Sequence, residues 1–392
     1  MTKQIHTDVI VVGAGLVGLA AAVALSLQHQ HVVLVSDKPA ASANPTLSPG
    51  GWDERVYALT PGIEAWLKAI GVWDFVDENR VSAIDAMHIW GAESDLQLTA
   101  ADANVAKLGL IVENQQLIAA LWQQVRALGV TVISDATCAS IEYTADAVIL
   151  HVEPARKINA KLVVAADGLH SWVRQQANIG IDVKKYQQVA VVANFLAENP
   201  HRGIAKQWFG AHDVLALLPL PDQHVSMVWS VSTEKAAHLL ALSSEALCEQ
   251  VQAQSQGLSG KLKQVGQVKT AVLNQQTASQ LIAERIVLVG DAAHQIHPMA
   301  GQGVNLGFRD VMQLAQLTAK LHSMQDIGEH TFLRQFERSR KADIISMNGL
   351  TSGLDYLFAT EQMLLKKLTN WGLQRIARQA TLKKLLIKQV VH

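Results

Sequence analysis

Only two cysteines, Cys138 and Cys248, occur in 392 residues, and they lie too far apart to make a disulfide framework or a thiolate metal site. A reducing, cytoplasmic setting is expected. Neither sign of charge dominates: 33 Lys and Arg face 34 Asp and Glu, a net charge of −1, so no global field attracts nucleic acid or anionic lipid. A nucleic-acid partner is not expected. Charged residues are also scarce, 17% beside 49% hydrophobic, where about 25% is usual for soluble chains. An apolar surface follows. Gly-x-Ser-x-Gly, Walker and CxxC patterns are all missing, which leaves hydrolase, nucleotide triphosphatase and thiol-redox readings without support. His294 and His297 have a ligand-like spacing, but no third ligand stands near and no HExxH is present, so no metal is expected.

The run Val9 to Leu27 carries no charge and imitates a membrane span or a signal sequence. Asp8 precedes it, no Lys or Arg cluster forms an n-region, and glycines divide it. It therefore reads as strand, turn and alanine-rich helix, with Val32 to Val35 as the next strand. A βαβ unit of this kind implies a parallel sheet covered on both faces. Ala40 to Gly51 reads as loop, and Gly62 to Ala69 and Gln116 to Leu128 as helices. Strands are expected at Val130–Ser134, Ala147–Val152, Leu162–Ala166 and Arg285–Val289. Gln188–Phe195, Val214–Leu220 and Val225–Val231 read as antiparallel strands of a second domain, and the chain turns helical from Val304. The length allows about two or three domains, and no internal repeat is visible.

Gly13-Ala-Gly-Leu-Val-Gly18 fits G-x-G-x-x-G where the mechanism needs it, after a strand and opening a helix. Gly13 permits the turn, Gly15 lets a pyrophosphate reach the backbone, and Gly18 allows close helix–strand packing. The helix start offers amides and a positive dipole end to the phosphates. The motif alone does not separate FAD from NAD. The acid that commonly binds ribose hydroxyls would fall on Ser36, with Asp37 one residue later. Asp167-Gly168 closes another apolar strand, and Gly290-Asp291 closes a third. In the third motif Asp291 can accept hydrogen bonds from ribose or ribityl hydroxyls, Pro298 stiffens the loop, and Gly301 and Gly303 leave amides bare before the helix.

These three motifs in this order resemble the single-component FAD aromatic hydroxylases of the para-hydroxybenzoate hydroxylase type. The stretch His297-Pro-Met-Ala-Gly-Gln-Gly-Val-Asn-Leu-Gly is similar to ubiquinone-biosynthesis hydroxylases, and the likeness takes in Asp53 to Leu59 and Val112 to Asn114. The resemblance implies that Gly13, Gly15 and Gly18 hold the FAD pyrophosphate, that Arg55 and Asn114 touch the cofactor, and that Asp291 holds its pyrophosphate–ribityl region. Gly301, Gly303 and Asn305 would sit at the flavin ring, Pro298 beside the reacting ring, and Asp167 would serve both FAD and the nicotinamide. Whether Ser36 or Asp37 binds the adenosine ribose stays open.

The implied reaction uses NADH or NADPH to reduce FAD, then O₂ to form a flavin C4a-hydroperoxide that oxygenates a phenolic ring. The implied substrate is a polyprenylated phenol or quinol. A soluble aromatic substrate, or an accessory FAD protein without turnover, is the alternative. Trp208, Phe209, Leu215, Leu217, Met227 and Trp229 are candidates to line an apolar channel, though alternating apolar strand residues more often form core. The implied fold is α/β: a Rossmann-like FAD domain (1–70, 100–178, 275–330), an inserted antiparallel-sheet substrate domain (71–99, 179–274) and a helical C-terminal region (331–392). After Glu361 the tail carries seven Lys and Arg between apolar residues. It reads as a solvated helix face, or as a docking element for a membrane surface or a ubiquinone-biosynthesis complex.

Overall fold

The computed structural model describes residues 3–38, 51–91, 95–210, 213–295, 303–322, 325–359, 383–384 and 387, with backbone alone for 348 and 350–359. His297, Pro298, Gly301 and most of the basic tail lie outside the described residues.

The central sheet has six strands in the order Ile282–Ala283, Ile286–Leu288, Leu162–Ala165, Val9–Val12, Val32–Val35 and Thr131–Ile133. All pairings are parallel except that of the first strand. Its central strands are apolar at every position because both faces are covered, so each side chain meets protein rather than water. The helix Leu16–Ser26 is buried nearly throughout and packs on helices Asn114–Ala127 and Gly303–Thr318. Its hydrophobicity on all sides is that of a core helix. The uncharged run thus resolves into strand, turn and helix, and among the described residues no helix is long and apolar enough to cross a membrane.

Two smaller sheets flank this body. One pairs Lys3–His6, Arg156–Ala160, Val148–Val152 and Cys138–Tyr143; the other pairs Val56–Leu59, Gly109–Glu113 and Ser82–Ile84. An eight-stranded sheet follows in the order His294–Gln295, Leu262–Ala278, Ile181–Ala197, His224–Ser232, Val214–Pro219, Ile204–Phe209, Ala86–Trp90 and Asp95–Thr99. Helices Thr233–Leu240 and Ser244–Gln254 cover one of its faces. Ala86–Trp90 and Asp95–Thr99 join this sheet, whereas Val72, Trp73 and Val76 belong to the core of the central-sheet body. The long helix His330–Ala359 packs against Gly303–Thr318.

Candidate cofactor and substrate site

Three neighbouring parallel strands, Ile286–Leu288, Leu162–Ala165 and Val9–Val12, end side by side, so the three motifs emerge at one edge of the sheet. This is the crevice where open α/β sheets hold ligands. Gly13 has φ +106, and a Cβ there would run into the Ala166 carbonyl oxygen; one at Gly18 would run into the Gly13 carbonyl oxygen. At Gly15 a Cβ would meet nothing within 4 Å. Two glycines therefore serve packing, and the middle one borders open space. The helix starts at Gly15 with no side-chain cap, leaving its first amides free for an anion.

In the second motif the Asp167 carboxylate accepts the Ser171 hydroxyl at 2.5 Å and the Val173 amide at 3.0 Å, holding the start of the helix Trp172–Gln176. Arg174 donates to the carbonyls of Ala292 at 2.9 Å and Leu169 at 3.0 Å, which ties the second motif to the third. Burial pushes the Cys138 thiol up to about 12, with Asp167 and Asp37 adding to the effect. Ser36 is buried and its hydroxyl accepts the Lys38 amide at 3.1 Å, while Asp37 is exposed.

Asp291 is accessible yet lies deep enough that desolvation raises its carboxyl above the ordinary range, against the pull of Arg55 and His294. An accessible carboxyl that feels burial stands on the wall of a cleft. Arg55 is exposed and its guanidinium lies 5.3 Å from the Tyr57 ring centroid. The Tyr57 hydroxyl donates to Asn114 Oδ1 at 3.4 Å, and burial pushes it up to about 12 although Arg55 opposes the shift. Arg55, Asn114 and Asp291 are thus brought together, with Tyr57 among them.

Residues 51–55 are held by a buried ion pair. Arg80 grips Glu113 through Nε at 2.7 Å and Nη2 at 2.8 Å, and also donates to the Gly51 carbonyl at 2.7 Å. Glu113 accepts the Asp53 amide at 2.6 Å, and the Asp53 carboxylate accepts the amides of Arg55 at 2.9 Å and Gln115 at 3.0 Å. Sequence reading missed this clamp because its partners lie far apart along the chain. Asn305 is fully buried and joins the third motif to the strand Val56–Leu59: Oδ1 accepts the Thr60 amide at 3.1 Å and Nδ2 donates to the Ala58 carbonyl at 2.8 Å. At Gly303 a Cβ would meet nothing within 4 Å among the described residues. His294 is buried, and its Nε2 is bonded to Asp310 at 2.7 Å.

The channel residues require a correction. Trp208, Leu215, Leu217, Met227 and Trp229 form one core with Leu239, Leu247 and Val251 of the covering helices. Alternation along the strands sends them all to the helix side. Phe209 points the other way, with its cross-strand partner Val214. On that other face Gln207, Ala216, Val228, Val192 and Lys269 form one cross-strand row. Lys269 pairs with Glu54 at 2.6 Å, and Asn194 Nδ2 donates to the carbonyls of Trp52 at 3.3 Å and Asp53 at 3.1 Å. This face therefore looks toward the residues that carry Arg55. Val192 and Val228, on central strands, remain partly accessible.

A helix start without a side-chain cap, the lack of contacts at Gly15 and Gly303 among the described residues, and the Arg55–Asp291 wall fit a ligand that combines phosphates with a planar ring, as FAD does. The FAD binding domain family matches residues 6–344. Ubiquinone hydroxylase UbiL of Rhodospirillum rubrum is 32% identical over 387 residues, covering 98% of this chain and 89% of that one. The 3-demethoxyubiquinol 3-hydroxylase of Escherichia coli is 32% identical over 396 residues, covering 99% of both. Among solved structures, p-nitrophenol 4-monooxygenase PnpA of Pseudomonas putida superimposes with TM-score 0.78 at 18% identity, covering 99% of each chain, which shows the shared fold. The chain belongs to the FAD-binding monooxygenase family, in its ubiquinone-hydroxylase group.

Proposed function

We propose that this protein hydroxylates the aromatic ring of a polyprenylated phenol or quinol on the route to ubiquinone. One atom of O₂ enters a ring C–H bond as hydroxyl, the other leaves as water, and NAD(P)H supplies the two electrons. Bound FAD supplies the electron transfer and oxygen activation. The chain's own residues bind and orient. Gly15 and the amides after it take the phosphates, Asp291 and Arg55 orient the hydroxyl-bearing and charged parts of the cofactor, and Gly303 leaves room for the ring. Tyr57, hydrogen-bonded to Asn114, stays protonated and holds that wall in place.

The observation that carries the substrate reading is the row Ala216, Val228 and Val192. It puts small aliphatic side chains, those of Val228 and Val192 partly accessible, on the face toward residues 52–54, with its one lysine neutralised by Glu54. Such a surface fits an uncharged ring and excludes water from it. A lipid-borne substrate also supports a cytoplasmic enzyme working at a membrane surface, with the basic tail as docking element, alone or within a quinone-synthesis complex.

The test is mass spectrometry of quinone lipids from the source organism with the gene removed. A prenylated intermediate lacking a ring oxygen is expected and would identify the position. An unchanged quinone profile, with turnover of soluble phenols by the purified protein, would overturn the proposal.

A further inference from the structure

Asp310 lies on the helix Gly303–Thr318, and its side chain, 1% exposed, does not reach the cleft. Donors from three separate elements converge on it. The Gly290 amide at 2.9 Å and His294 Nε2 at 2.7 Å meet Oδ2, and Arg340 Nε meets Oδ1 at 2.7 Å. Arg340 goes on to Asp343 at 2.6 Å, whose second oxygen takes Arg309 at 3.2 Å. Burial pushes the Asp310 carboxyl up, yet His294, Arg340 and the Gly290 amide outweigh burial and hold it below the ordinary range.

The buried charge does more than fill space. An apolar contact of the same volume would pack comparably but would not fix direction. What Asp310 fixes are two pieces of the cleft. Gly290 has φ +59, lies against Val17 of the glycine-motif helix, and is followed at once by Asp291. His294 pairs with Thr277 at the edge of the eight-stranded sheet and leads into residues 296–302. Arg340 belongs to the C-terminal helix, and its bond to Asp310 ties that helix to this turn.

We propose that Asp310 is a positioning residue for the cofactor: it sets the Gly290–Asp291 turn and the strand His294–Gln295, and Arg340 makes that setting depend on how the C-terminal helix is seated. The inference rests on the reading of the cleft as an FAD site. It extends that site to two residues that touch neither FAD nor substrate.

The test titrates FAD into cofactor-stripped protein and follows flavin fluorescence, for the unaltered chain and for Asp310→Asn, Arg340→Met and Arg340→Lys. All measurements are made well below each variant's melting temperature, with folded content matched by circular dichroism. Asp310→Asn is expected to weaken FAD binding at least tenfold, and the holoenzyme to release more peroxide per NAD(P)H consumed. Arg340→Met should do the same more weakly, and Arg340→Lys should restore most of the loss. Lower melting temperatures with unchanged FAD affinity and unchanged peroxide release would overturn the proposal, since scaffolding alone would then explain the network. Failure of the unaltered chain to bind FAD would instead overturn the cofactor reading on which it rests.

Discussion

The two faces of the eight-stranded sheet are built from the same strands and do opposite things. On the helix side Leu215, Leu217, Met227 and Trp229 are at most 1% exposed and interlock with Leu239, Leu247 and Val251. One residue along, Ala216, Val228 and Val192 belong to none of the buried clusters, and the two valines stay accessible beside the Glu54–Lys269 pair. Trp208, Leu215, Leu217, Met227 and Trp229 mark where the sheet is closed, and Val192 and Val228 mark where it stays accessible. Size therefore misleads as a guide to a substrate wall here. A ring needs room, which bulky residues consume.

Breaking the closed face should cost stability and little else. Trp229→Ala removes a fully buried ring, and its loss is expected to lower unfolding free energy by about 3–5 kcal/mol, read as a shift in denaturant midpoint. FAD affinity of the folded fraction should not change. Across the cleft, Asp291→Ala should leave the fold intact and weaken FAD by about 1.5–3 kcal/mol, the range for a hydrogen bond to a charged group. A fluorescence titration checks it; a fully yellow preparation with unchanged affinity would remove Asp291 from the site.

The open face is tested by filling it. Val228→Phe and Val192→Phe should raise the KM for a prenylated phenol at least tenfold, about 1.4 kcal/mol, while the melting temperature moves little. Equal KM values in both would return the wall to an ordinary surface. The smallest effect belongs to the closed face again. Leu217→Met conserves volume, so it should cost less than about 1.5 kcal/mol and leave KM unchanged. A large KM change there would reverse the assignment of the faces.

Asp310 gives the comparison a pH dimension. Its folded pKa lies below its unfolded value, so its contribution to stability is present above the ordinary carboxyl pKa of about 3.9 and is lost as pH falls through the lowered folded value. Asp291 is shifted the other way, so its ionisation opposes folding at neutral pH, and that penalty fades as pH falls through its raised folded value.

Much of this was legible from local pattern. The strand, glycine turn and helix at Val9 to Ser26 needed only periodicity and the spacing of Gly13, Gly15 and Gly18. The position of Asp291 just beyond a buried strand was legible too, and the structure leaves its carboxyl accessible beside Arg55. The two faces of the sheet were not. Period two says which residues share a face, but when both faces carry apolar residues it does not say which one a helix will cover. The strands Ile204–Phe209 and Ala86–Trp90 pair in parallel across more than a hundred intervening residues, and no local signal announces that. Shorter separations, 33 and 60 residues in the Arg80–Glu113–Asp53 clamp and 30 in the Arg340–Asp310 tie, hid those contacts as well. Asp310 lies among apolar residues on the buried face of the helix Gly303–Thr318, and an acid in such a place hints at a buried partner.

The most direct measurement supplies the purified holoenzyme with NAD(P)H, isotopically heavy dioxygen and a short-chain prenylated phenol, and weighs the product. Incorporation of one heavy oxygen atom into the ring, with NAD(P)H consumed in step, is the predicted result. NAD(P)H oxidation that yields only peroxide across such substrates, or a product whose new oxygen comes from water, would contradict the account.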